Sequence, residues 1–143
     1  MKILADTSVW SLALRRRKGS KLSAGEQRLT AALSEAINDG RVPMLGPIRQ
    51  ELLSGIKEPE QFEKLKSILQ SFADERLDST DYEEAGRLYN VCRNHGIECG
   101  PVDMLICSVA VRRKWRVLGN DATLNKGVEI LQALTEAQAK GKK

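Results

Sequence analysis

The eight residues Met104 to Val111, Met-Leu-Ile-Cys-Ser-Val-Ala-Val, are apolar on almost every side when wound into a helix. A helix of that kind cannot lie on a surface with one face in water; it must be buried within a larger structure. Pro101 and Asp103 predict where it starts. Proline is harmless in a first helical turn because its missing N–H would have no partner there, and an acid in the same turn is favoured by the helix dipole. Whatever surrounds this helix has to supply apolar contacts on all sides.

The rest of the chain supplies them as strands alternating with helices. Lys2 to Ala5 reads as a buried strand that stops at Asp6-Thr7-Ser8, where a capped helix begins. Ser23-Ala24-Gly25-Glu26 has the spacing of a capping box, and Leu29, Leu33 and Ile37, flanked by Ala32 and Ala36, make a helical stripe that Asp39-Gly40 ends. A strand is expected from Val42 to Leu45. Gly46-Pro47 then opens a short helix that Gly55 terminates, and Glu58-Pro59 opens another with Phe62, Leu65, Leu69 and Phe72 on one face. After a short strand at Arg76-Leu77, Thr80-Asp81-Tyr82-Glu83 is read as a second capping box. Its helix is expected to bury Tyr82, Ala85, Tyr89 and Cys92 and to stop at His95-Gly96. Trp115 to Leu118 is the next strand, Gly119-Asn120-Asp121 its turn, and Val128 to Leu131 a last strand. This alternation predicts an α/β fold with a central, mainly parallel sheet of four to five strands and helices on both faces. The chain has 143 residues, which suits one domain over 1–135 followed by a basic, frayed tail, 136–143.

Composition narrows the class of function. Hydrophobic residues make up 41% and charged residues 29% of the chain, a globular balance, and no apolar run approaches the roughly 18 residues that span a bilayer. The N-terminus is too short in apolar residues for a signal-peptide core, so the cytoplasm is the expected location. The formal net charge is +4, which favours an anionic partner. Arg15, Arg16, Arg17 and Lys18, with Lys21, form one basic cluster. Arg112, Arg113 and Lys114, with Arg116, form a second that equally suits a helix C-terminus or a solubilising surface. Cys92, Cys99 and Cys107 are an odd count without a secretion signal, so reduced thiols are expected. Their six- and seven-residue gaps do not match the short pairs of structural zinc sites. His95, the one histidine, falls in a last helical turn, where a surface role is expected.

Four acids sit at the rim of the core. In open α/β sheets ligands bind beyond the carboxyl ends of the strands, and Asp6 and Asp121 each follow a predicted strand. Asp103 stands in the first turn of the buried helix. Glu51 lies about 60° around its helix from Ile48, at the border of the Ile48/Leu52 face, with Arg49 pointing away from it. Each acid alone is explained as a cap, a turn residue or a solvated glutamate. Together they suggest a cluster whose mutual repulsion needs cations, and oxygen donors without histidine or cysteine suit Mg²⁺ or Mn²⁺.

At these residues the chain resembles the PIN-domain family, most closely its VapC-type toxin ribonucleases. The matching segments are Ile3-Leu4-Ala5-Asp6-Thr7-Ser8-Val9-Trp10, Pro47 to Gly55, Asp103 to Ala110, and Asn120-Asp121. The resemblance implies a three-layer α/β/α fold and metal-dependent cleavage of RNA. It also implies metal held by Asp6, Glu51, Asp103 and Asp121, with Thr7, Ser8 and Asn120 as supporting polar groups. A homodimer and a cognate antitoxin protein are implied as partners. Leu124 departs from the pattern, which often has an aromatic there. On this reading Arg15, Arg16, Arg17 and Lys18 steer the RNA backbone.

Three other readings are open to the sequence. A processing nuclease outside any toxin–antitoxin pair would share the same acids. A receiver-like signalling domain also gathers acids around Mg²⁺, with Asp78 as its one candidate phosphoacceptor. A non-catalytic RNA-binding or antitoxin-like protein would have acids that do not converge. Its few aromatic residues, placed mostly on core stripes, would leave little for base stacking.

Overall fold

Seven consecutive residues, Met104 to Ala110, are buried in the computed structural model, as an all-round apolar helix requires. The structure describes residues 1–14, 21–119, 127–129 and 132–133. In chain order the elements are β1 (Ile3–Ala5), α1 (Thr7–Leu14), α2 (Ala24–Asn38), α3 (Gly46–Leu53), α4 (Pro59–Leu69), α5 (Ser79–Asn94), α6 (Pro101–Arg113) and β2 (Arg116–Leu118). Helix α6 packs on α5 and β2, while α1 packs on α2 and α3, and α3 on α4.

β1 and β2 pair in parallel with Ile3 opposite Arg116, Leu4 opposite Val117 and Ala5 opposite Leu118. The ladder continues past β1, where the Asp6 N–H donates to the Leu118 carbonyl at 3.0 Å. On the other edge the Ile3 N–H donates to the Arg41 carbonyl at 2.8 Å. Next to that segment lies a parallel bridge between Met44 and Asp74. Extended backbone therefore runs side by side in the order 74–75, 41–44, β1, β2, with β1 bonded on both edges. Leu4 and Ala5 are fully buried, as expected of a parallel strand covered on both faces.

The α/β class with a parallel sheet holds, but three strand expectations change. Val42 to Leu45 contributes only the bridge at Met44. The ladder contact expected at Arg76-Leu77 falls two residues earlier, where the Glu75 N–H donates to the Met44 carbonyl at 2.8 Å. Gly127, Val128 and Glu129 are helical rather than the start of a strand. Ile130 and Leu131 lie outside the described residues, as does the expected tail 136–143.

Sequence pattern fixed most helix ends. Ser23 and Glu26 form the expected reciprocal capping box of α2, and α2 and α5 are followed by Gly40 at φ 66° and Gly96 at φ 75°, a conformation glycine adopts without strain. Helix α5 differs from expectation at its start. Its capping box is Asp78 with Asp81, two residues before the Thr80/Glu83 reading. The inward stripe is consequently Asp81, Ala85, Leu88 and Cys92, and Tyr82 is 52% exposed.

A buried acid can occupy that stripe because the second basic cluster meets it. Arg112 bonds Asp81 at 2.9 Å and Arg113 at 3.5 Å, with a further Arg113 pair to Glu75 at 3.5 Å. Arg113 and Lys2 also both lie over the Trp115 ring. These arginines therefore tie the C-terminal end of α6 to α5 and to the 74–75 segment. Removing Asp81 takes away charge-assisted bonds but leaves arginines that are partly exposed to water, so Asp81→Ala should destabilise the fold by about 2 kcal/mol, measured as a lower midpoint in urea denaturation.

Candidate active site

Asp6 sits where β1 ends and α1 begins, and it is 4% exposed. Its Oδ1 accepts from the Ser8 hydroxyl at 2.6 Å and from the Val9 N–H at 3.0 Å. That is the position and bonding of an N-cap, so the helix start holds the carboxylate in one orientation. Burial of an ionised acid is tolerable when such charge-assisted bonds replace water.

Glu51 comes to the same place from α3. Pro47 stands in the first turn of that helix, whose N-cap Leu45 supplies no side-chain cap bond. One turn after Pro47, Glu51 accepts the Thr7 hydroxyl at 2.7 Å through Oε1. Thr7, which adjoins Asp6, thus ties Glu51 to the start of α1. Arg49 is held elsewhere: its Nε pairs with Asp74 at 3.0 Å, and its two terminal nitrogens donate to the Leu69 and Phe72 carbonyls. It closes the end of α4 and leaves the charge on Glu51 unneutralised by this arginine.

Asp103 lies in the first turn of α6, after a Gly100 N-cap that provides no side-chain bond. The partial positive charge of that helix end favours a carboxylate. One turn further, Cys107 is fully buried, and its thiol pKa is pushed far above the usual value. Burial is the main cause, followed by the charges of Cys99, Asp103, Cys92 and Asp6. Asp6 and Asp103 thus act on the same thiol from two different elements. Asp6 and Glu51 lie with the Thr7 and Ser8 hydroxyls at the carboxyl end of β1, and Asp103 is related to Asp6 through their shared effect on the Cys107 thiol.

Asp121, Asn120 and the cluster Arg15, Arg16, Arg17 and Lys18 lie outside the described residues. Among the described residues no three histidine, cysteine, aspartate or glutamate side chains group closely enough to hold a metal ion. The donor chemistry nevertheless fits a hard cation, since Mg²⁺ typically takes one or two carboxylates and completes its shell with water and phosphate oxygens. His95 is an exposed C-cap whose Nδ1 lies 2.8 Å from the Val91 carbonyl. Asp78 is engaged in the α5 capping box, which is the role of a cap rather than of a phosphoacceptor at a strand end. The cysteines are reduced, with Cys92 and Cys107 buried.

The chain belongs to the PIN-domain family, whose pattern it matches over residues 3–128. PIN domains are generally nucleases that use divalent metal ions. Its fold is similar to that in the crystal structure of FitAcB from Neisseria gonorrhoeae, with a TM-score of 0.67 at 21% identity, covering 89% of this chain and 93% of that one. No curated protein matches the sequence. No helix among the described residues is long and apolar enough to cross a membrane.

The buried thiols give a pH test. A raised thiol pKa means that the folded state keeps its proton after the unfolded chain has lost it. The associated stability is complete below the unfolded thiol value of about 8.5 and declines as pH rises beyond it. In metal-free protein, stability should fall from about pH 8.5 upward, less so in Cys107→Ala relative to that variant's own neutral-pH value. Urea midpoints across the alkaline range measure it.

Proposed function

We propose that this chain is a metal-dependent endoribonuclease of the VapC type, acting as the toxin of a toxin–antitoxin pair. The observation that supports the reading is the Thr7–Glu51 bond beside the buried Asp6 at the end of β1, within a PIN fold whose buried helix carries Asp103 in its first turn. Asp121, three residues after β2, is the fourth acid of the proposed set, with Asn120 as a polar support. These residues would hold Mg²⁺ or Mn²⁺, and such an ion supplies an activated water and stabilises the leaving oxygen of a phosphodiester.

The chain's own residues have distinct tasks. Ser8 and the Val9 N–H fix the Asp6 carboxylate, and Thr7 fixes Glu51. The α6 N-terminus offsets charge on Asp103. Carboxylates about 4 Å apart repel by roughly 4 kcal/mol at an effective dielectric near 20, so without such support they would turn away or take up protons. Arg15, Arg16, Arg17 and Lys18 steer the polyanionic substrate toward the acids. Hydrolysis leaves a 5′-phosphate and a 3′-hydroxyl.

The same reading assigns residues 1–135 to one nuclease domain with a basic tail, places it in the cytoplasm as a homodimer, and gives it an antitoxin protein that covers the acids. A PIN-type processing nuclease outside such a pair would use the same chemistry; a small reading frame immediately upstream favours the toxin.

Total RNA incubated with the purified protein tests the activity. Cleavage is expected with Mg²⁺ and none with EDTA. Asp6→Asn keeps a good N-cap and Asp103→Asn keeps the side-chain shape, so both should remain folded and lose cleavage. Thr7→Val should lower cleavage about 10- to 100-fold, as loss of a ligand-orienting bond does. Full activity in folded Asp6→Asn would refute the assignment.

A further inference from the structure

The two tyrosines of the sequence, Tyr82 and Tyr89, were expected in the core, yet both line a groove of about 560 Å³ on α5, together with Asn90, Gly86, Pro47 and Val102. Tyr82 is half exposed. Gly86, between the tyrosines on the same stripe, leaves open space where a side chain would stand, with no atom within 4 Å of a Cβ placed there. The groove shares its supports with the acids. Pro47 is one helical turn before Glu51 on α3, and Val102 adjoins Asp103 on α6. A strand whose phosphodiester lies at the acids therefore has this groove beside it.

We propose that the groove is a nucleobase subsite: it takes a base of the RNA strand flanking the cleaved phosphodiester, stacked against the tyrosine rings and read by the Asn90 amide. The inference rests on the reading that the chain acts on RNA. The lining suits a base rather than a phosphate, because it combines flat aromatic surface with few charges. The Asn90 amide offers both donor and acceptor to a base edge, and the volume lies within the range of about 300 to 1,000 Å³ typical of small-ligand pockets. A subunit interface needs a face of about 800 Å² on each partner, whereas this is a local concavity whose lining residues Pro47 and Val102 share α3 and α6 with Glu51 and Asp103.

Two substitutions remove the subsite without touching the acids: Tyr82→Ala deletes an exposed ring, and Gly86→Leu fills the open space. Binding of short, labelled adenosine and uridine homopolymer RNAs, measured in EDTA by fluorescence anisotropy, should weaken roughly 5- to 100-fold in both variants for at least one of the two RNAs, as expected when a stacked base is lost. Tyr82→Phe should restore it. In Mg²⁺, the mapped cleavage ends on total RNA should lose base preference at one position next to the cut, with KM raised more than kcat is lowered. Unchanged affinity and unchanged ends would overturn the proposal. So would a shift from dimer to monomer in light scattering with RNA affinity retained, which would make the face a subunit interface. Wild-type protein that cuts no RNA would refute the proposed activity, while the binding measurement in EDTA still decides the groove.

Discussion

A helix without a polar face needs covering on every side, and α6 obtains that cover from α5 and the parallel sheet. The consequence for the site is geometric. Once Met104 to Ala110 are buried, the α6 N-terminus and Asp103 are set at one end of the core, and its C-terminus at the other. The parallel ladder of β1 with β2 then brings the end of β1, and with it Asp6, to the same end as Asp103. The opposite end is closed by Arg112 and Arg113 on Asp81 and Glu75. The buried helix thus separates the end that carries Asp6 and Asp103 from the end where Asp81 and Glu75 meet arginines.

That separation has an energetic logic. At the Asp81 end the acids meet arginines, and the ion pairs hold three segments of chain together. At the Asp6 end the carboxylates meet hydroxyls, a backbone N–H and a helix N-terminus, which orient them: Ser8 and Val9 bond Asp6, Thr7 bonds Glu51, and Asp103 stands in the first turn of α6. Hydroxyl and N–H donors hold a carboxylate in a fixed orientation, which suits the proposed cation site. The pushed-up thiol of Cys107 reports the same environment: a buried group, with Asp6 and Asp103 among the charges acting on it.

Much of this was legible in the sequence because the relevant signals are local. The all-round apolar run, the Ser23/Glu26 box, the Glu58-Pro59 start and the His95-Gly96 stop each depend on residues within a turn or two. The pairing partners of strands do not. Val42 to Leu45 looked like a full strand but forms a single bridge, and the neighbouring ladder contact fell at Glu75 instead of Arg76-Leu77, because register is set by contacts across the sheet. The α5 start was misplaced for a different reason. The box read at Thr80 and Glu83 rested on local spacing alone, whereas Arg112 and Arg113, more than thirty residues away, bond Asp81 on the inward face and Tyr82 stands outward. For the site, sequence identified the acids and their elements, whereas the Thr7 to Glu51 bond joins residues 44 positions apart and required the fold.

The central claim is that these acids form a cation site, and thermal unfolding in a Mg²⁺ titration tests it most directly. An ion that binds only the folded state stabilises it by about 2.7 kcal/mol at a hundred times its dissociation constant, so the melting temperature of the wild-type protein should climb by several degrees across the millimolar range. Asp103→Asn should melt higher than wild type without metal, because a repelling charge is gone, and should respond weakly to Mg²⁺. A wild-type melting temperature that does not move with Mg²⁺, or a rise that persists undiminished in Asp103→Asn, would contradict the account.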